Sequence, residues 1–256
     1  MQLHVNIQGQ GEPLIILHGL FGTLDNWGSQ IKVLAEQYEV YAVDLRNHGR
    51  SPHSDEMSYA AMAEDIAELM DNHGLQSAHI LGHSMGGKAA MQLALTQPER
   101  IRQLIIVDIA PVQYSHDHDT VIQGLKSVSL NTVTSRRDAE QQLAEHVTET
   151  GLRQFLLKNL YRTENGFAWR VNLAVIESQY DNISAPPEGT PYRGKTLFIK
   201  GGQSEYITLD HKDALLQYFP AASYKIIQNA GHWPHAEKPA AFSKLVMNFL
   251  QEADNG

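Results

Sequence analysis

ILGHSMGGKAAM, residues 80–91, runs from an apolar segment through Gly82, Ser84 and Gly86 into a stretch with helix-forming character. G-x-S-x-G between a strand and a helix reads as a tight turn that lifts the serine hydroxyl clear of both. Glycines flank the serine because the backbones on either side must come close. Met85 then starts a helix, where free N–H groups and the dipole favour a developing negative charge. The plainer reading is a glycine-rich turn kept for geometry alone, but strand, motif and helix all agree on the first. Lys88 lies one residue too far from Ser84 for an S-x-x-K arrangement, so that serine mechanism is disfavoured.

Outward from this turn, apolar runs bounded by Gly, Asp or His recur. They are LIILHG (14–19), YEVYAVDLRNHG (38–49), SAHILGHS (77–84), QLIIVDIAP (103–111), TLFIKGG (196–202) and SYKIIQNAGH (223–232). Runs apolar on both faces suit strands of a covered parallel sheet. Amphipathic segments at 25–37, 58–73, 86–97, 210–219 and 239–252 separate them. The alternation implies an α/β chain: a mostly parallel central sheet, right-handed crossovers and flanking helices. Functional residues are expected at the carboxyl ends of the strands.

The alternation stops after Pro111. Residues 112–193 hold helical pieces such as SRRDAEQQLAEHV and LRQFLLKNLYR, with Ser135 as an N-cap and Gly151 as a stop. TENGFAWR reads as a turn between extended pieces, and SAPPEGTPYRG as a linker back to the sheet. The expected layout is a core of 1–111 and 194–256, with 112–193 inserted as a helical cap over the strand ends. Ordinary crossover helices are the alternative.

A chain of 256 residues fits one large domain, or one carrying an insertion. The absence of cysteine removes disulfides and cysteine nucleophiles, and agrees with a cytoplasmic setting. MQLHVNIQGQGEP lacks the form of a signal peptide, and PLIILHGLFG is too short to span a bilayer. A net charge of -9 argues against a nucleic-acid partner. Oligomeric state is not legible.

Two further motifs complete a set. In LHGLFG, His18 and Gly19 shape a loop whose Leu20 N–H can face the same oxyanion as that of Met85; His18 is expected to brace the loop rather than act as base. In NAGHWPHAEKP, His232 follows the last strand and can take the proton of Ser84. The spacing of His232 and His235, and HDHD at 116–119, suggest metal ligation only weakly, so no metal is expected.

Together LHGLFG, GHSMGG and GHWPHAEKP resemble the α/β-hydrolase superfamily over the whole chain. DLRNHGRSPHSDEMSYAAMAEDI (44–66) and VDIAPVQY (107–114) resemble, more narrowly, the YbfF-type bacterial esterases. The resemblance implies an α/β-hydrolase fold with a helical cap, and a cofactor-free Ser–His–acid hydrolase of small acyl esters or thioesters. One departure stands out. The acid usually follows the strand read here as TLFIKGG, and Ser204 occupies that place. Asp108 ends a core strand, keeps the order Ser…Asp…His and is the expected acid, with Glu205 and Asp210 as alternatives. Ser204 is then either a hydrogen-bonding partner of Asp108 or His232, or a small turn residue facing solvent. Asp44, Arg46 and His48 are expected to brace their loop.

The expected site is therefore Ser84, Asp108 and His232, with Leu20 and Met85 as oxyanion donors. Leu125, Phe155, Leu156, Leu160, Tyr161, Phe167 and Trp169 are divided, in an unknown way, between cap core and acyl pocket. Two other readings share the motif set: a carbon–carbon bond lyase, which would need cationic cap residues such as Arg136, Arg137, Arg162 and Arg170, and a slow-turnover ligand receptor.

Overall fold

Strands that are apolar on both faces must be covered on both, and the computed structural model, which describes residues 1–116 and 118–252, shows how. The chain runs through β1 (His4–Gln8), β2 (Glu12–Leu17), α1 (Gly28–Leu34), β3 (Tyr38–Asp44), α2 (Tyr59–Asn72), β4 (Ala78–His83), α3 (Met85–Thr96) and β5 (Ile101–Val107). It continues through α4 (Asp119–Ser127), α5 (Arg136–Leu143), α6 (Thr150–Leu156), β6 (Leu160–Thr163), β7 (Gly166–Trp169), α7 (Leu173–Ser178) and α8 (Tyr180–Ser184). β8 (Thr196–Gly201), α9 (Lys212–Tyr218), β9 (Ala222–Ile227), α10 (Pro234–Glu237) and α11 (Pro239–Gln251) close it.

Seven strands form one sheet in the order β1-β3-β2-β4-β5-β8-β9, and β6 pairs only with β7. All neighbours in the large sheet are parallel except β1 and β3. The alternation of side chains along each strand divides the core in two. Ile15, Leu17, Ile80, Leu104 and Ile106 pack with α2 and α3. Leu14, Ile16, Leu81, Ile105 and Val107 pack with α1 and α11. The chain passes from β2 to β3 on one side, then returns to β4 on the other, so a crevice opens at the carboxyl ends between β2 and β4.

Two details differ from the sequence reading. β1, with the burial of an edge strand and polar residues on both faces, was not expected. Gly151 does not stop a helix; it is the second residue of α6. Between Pro111 and Gly194 lie α4 to α8 and the β6–β7 hairpin, whose turn falls within TENGFAWR. Ser135 caps α5, its hydroxyl accepting the Asp138 N–H at 3.1 Å. Among the described residues no helix is long and apolar enough to cross a membrane.

Candidate active site

His83 pairs with Val107 across β4 and β5, so Ser84 and Asp108 emerge side by side, one residue beyond the register. Both have positive φ, 53° and 52°. L-residues enter that region at a cost of order 1–3 kcal/mol, which the surroundings must over-determine. Here Ser84 N–H donates to Val107 O at 3.0 Å and Asp108 N–H to Ile199 O at 2.8 Å. Gly82 and Gly86 make the turn possible. A Cβ on Gly82 would sit 2.3 Å from Gly86 O, and one on Gly86 would sit 2.5 Å from His18 O.

Asp108, Ser84 and His232 meet. His232 Nδ1–H donates to Asp108 Oδ2 at 2.8 Å, and Ser84 Oγ–H donates to His232 Nε2 at 3.1 Å. Asp108 is fully buried, and its other oxygen accepts the Gly201 N–H at 2.9 Å. Gly201 also lets the His232 loop pass, for a Cβ there would lie 1.9 Å from Gly231 O. Ser204 is buried rather than solvent-facing; its hydroxyl donates to Asp108 Oδ2 and accepts the Tyr206 N–H at 3.2 Å. Glu205 is exposed, and Asp210 is exposed in the first turn before α9.

Several neighbours of His232 were not legible in the sequence. The Tyr206 ring stacks on the imidazole, centroids 3.9 Å apart. His83 Nε2–H donates to His232 O at 2.7 Å, and burial holds the His83 pKa well below the usual value, which favours the neutral donor. His235 stacks on Trp27 at 4.1 Å instead of joining His232, and burial lowers its pKa to about 3.

The loop after β2 is fixed by imidazoles in set tautomers. His18 Nδ1–H donates to Gly19 O at 2.8 Å and its Nε2 accepts the Leu45 N–H at 3.0 Å. His48 Nδ1–H donates to Arg46 O at 2.9 Å and its Nε2 accepts the Phe21 N–H at 3.2 Å. Burial lowers these pKa values to about 4 and about 3. Asp44 accepts from the Leu24 and Arg50 N–H groups, and Arg46 pairs with Asp65 at 2.7 Å. All four are thus bracing residues. Leu20 lines the same two cavities as Ser84, and Met85 follows Ser84 and opens α3, where its N–H has no acceptor within the helix.

Two cavities meet at Ser84. One, of about 210 Å³, is lined by His232, Trp233, Phe155, Leu152, Val121 and Phe21. The other, of about 30 Å³, is lined by Met85, Lys88, Tyr59, Tyr114, Ile109 and Ile183. His118 borders both, although HDHD reads as a solvated loop; Asp117 of that motif lies outside the described residues. Of the aromatic and aliphatic residues divided between core and pocket, Phe155 lines the larger cavity. Leu125, Leu156 and Leu160 are buried in the core, and Tyr161 is exposed.

A family model described as alpha/beta hydrolase fold matches residues 12–239. The chain is 38% identical to Esterase YbfF of Escherichia coli (strain K12), over 96% of this chain and 95% of that protein. It is 40% identical to the sn-1-specific diacylglycerol lipase ABHD11 of Mus musculus, over 93% of this chain and 80% of that one. A solved structure described as a marine microorganism esterase superposes with a TM-score of 0.95 at 41% identity, covering 97% of this chain and 99% of that one. Matches of this extent and identity mean that the chain belongs to the α/β-hydrolase fold family, in its YbfF-type esterase branch.

Proposed function

We propose that the chain is a serine hydrolase that cleaves carboxylic esters or acyl thioesters through an acyl-enzyme. The observation that carries this reading is the unbroken hydrogen-bond line from Ser84 through His232 to Asp108. The esterase and lipase names of its relatives support it. In this mechanism Ser84 Oγ attacks the acyl carbon and passes its proton to His232 Nε2. Asp108 holds the imidazole in the tautomer that can accept it, and stabilises the imidazolium that results. The oxyanion meets the N–H groups of Met85 and Leu20. Collapse breaks the bond to the alcohol or thiol, which leaves with the proton from His232. Water then repeats the cycle on the acyl-enzyme, and no step needs a cofactor.

The protonating group must reach the leaving atom, which assigns the two cavities. His232 lines the larger cavity and not the smaller, so the alcohol or thiol occupies the larger one and the acyl chain the smaller. Residues 112–193 act as the cap, closing the larger cavity with Phe155, Leu152 and Val121. Small volume on the acyl side favours short chains.

Ser84→Ala should fold normally and lose roughly 10⁴-fold or more in kcat on aryl esters, because nucleophile, base and acid act as a unit. A fluorophosphonate should label the wild type and leave the variant unlabelled. Activity persisting in the variant would put the nucleophile elsewhere, and a single slow turnover in the wild type would favour the receptor reading.

A further inference from the structure

Leu20 stands second in a β-turn, Gly19 to Gly22, closed by the Gly22 N–H donating to Gly19 O at 2.9 Å. Its own N–H, one of the two proposed oxyanion donors, lies outside that bond and takes its direction from the turn. Phe21 stands third, with φ at 59°, as in a type II turn. Glycine suits that place. A side chain there is strained, so the surroundings must hold the backbone.

Two contacts hold it, one on each side of the residue. From the core, His48 Nε2 accepts the Phe21 N–H at 3.2 Å. From the inserted segment, Asn159 Nδ2 donates to the Phe21 carbonyl at 2.7 Å, across 138 residues of sequence. Asn159 ends the short helical turn Leu157–Asn159 that links α6 to β6. It is fully buried, its Nδ2 also donates to Leu156 O at 3.2 Å, and its backbone carbonyl accepts the Arg170 N–H at 2.9 Å. Two carbonyl acceptors on one side fix which way the amide faces. Its oxygen meets no donor among the described residues. An apolar residue of the same shape would avoid that cost, so the N–H bonds, not packing, account for an amide here.

The inserted segment is also seated without this bond. Asn172 donates its N–H to Asn47 O at 2.9 Å and its side-chain amide to Asn47 Oδ1 at 3.1 Å. Losing the Asn159 bond therefore frees the turn while the segment stays in place. We propose that Asn159 is a positioning residue: acting through Phe21, it sets the direction of the Leu20 N–H and so the strength of the oxyanion hole. The assignment rests on the ester-cleaving reading of Ser84. Its effect belongs to the transition state. The hole meets charge only as Ser84 Oγ bonds to the acyl carbon and the carbonyl pair moves to oxygen, with the hydroxyl proton passing to His232.

Asn159→Leu removes both side-chain N–H bonds at nearly constant shape, and Asn159→Ala is measured beside it; circular dichroism and Tm show whether each is folded. On an aryl acetate, kcat should fall by about ten-fold or more with KM nearly unchanged. Affinity for an aryl trifluoromethyl ketone, whose carbonyl takes up Ser84 Oγ and becomes an oxyanion, should fall by the same factor. In a Phe21→Gly background the turn needs no outside hold, and Asn159→Leu should cost about two-fold or less. Unchanged kcat and ketone affinity in a folded variant, a rise in KM alone, equal losses in both backgrounds, or failure of both variants to fold would each overturn this assignment alone. A wild type that neither turns over the aryl acetate nor takes up a fluorophosphonate would overturn the hydrolase reading, and the assignment with it.

Discussion

In the proposed mechanism Asp108 and Ser204 share a role that one residue could fill, and each has a part. Asp108 supplies the charge, held at positive φ with one oxygen on Gly201 N–H and the other on His232. Ser204 adds a donor to the second oxygen. Asp108→Asn should therefore lower kcat by orders of magnitude with KM nearly unchanged, since an amide neither fixes the tautomer nor stabilises the imidazolium. Ser204→Ala should cost only about 1–2 kcal/mol in kcat/KM, the scale of one hydrogen bond. Asn at Glu205 or at Asp210 should leave turnover near wild type. Steady-state kinetics on one aryl ester checks all four, and wild-type turnover in Asp108→Asn would remove Asp108 from the mechanism. At this scale the sequence was informative where chain order and strand ends decide, as for Ser84, Asp108 and His232. It was silent on Tyr206 and His83, whose contacts with His232 join segments far apart in the chain that no spacing records.

Among the elements, α3 reaches across to the segment that follows β5. Lys88 is 1% exposed, and its ammonium donates to Val112 O, Ser184 O and Ala185 O at 2.7, 2.8 and 2.6 Å. Those carbonyls lie at the two roots of the segment between β5 and β8, so one core side chain grips both. Burial pulls the Lys88 pKa down to about 7, while the three carbonyls favour the charged form. Lys88→Met should lower stability by about 3 kcal/mol or more, because three buried acceptors lose their donor. Urea unfolding measures this, and a loss below 1 kcal/mol would mean the roots are held by other contacts. The strands of the core were legible because both their faces are apolar. Their ends were not, since Leu45, Ile109 and Ala110 continue buried past the last ladder pair. β1 escaped because an edge strand needs no apolar alternation when its ladder to β3 supplies the order.

Taken whole, the molecule keeps His18, His48 and His235 buried and neutral, two of them with both ring nitrogens engaged. Protonating His18 would cost the Leu45 N–H its acceptor, and protonating His48 would cost Phe21, whose φ is 59°, the bond that holds it. The folded-state pKa values, about 4, about 3 and about 3, lie below the ordinary histidine value of 6.5. Between those limits the unfolded chain binds more protons than the folded one, so stability is lost as pH falls through this window. At pH 4.5 each such histidine should cost about 2 kcal/mol relative to pH 7. Tm measured from pH 7 to pH 4.5 should therefore fall steeply below about 6.5. Gln at position 235 replaces a ring stacked on Trp27, so it lowers Tm at every pH, yet it should flatten the slope because one titrating group is gone. His18 and His48 hold the loop that carries Leu20, so esterase activity should fail before global unfolding as the pH drops. A Tm independent of pH across this range would mean that these imidazoles titrate alike in the folded and unfolded chain.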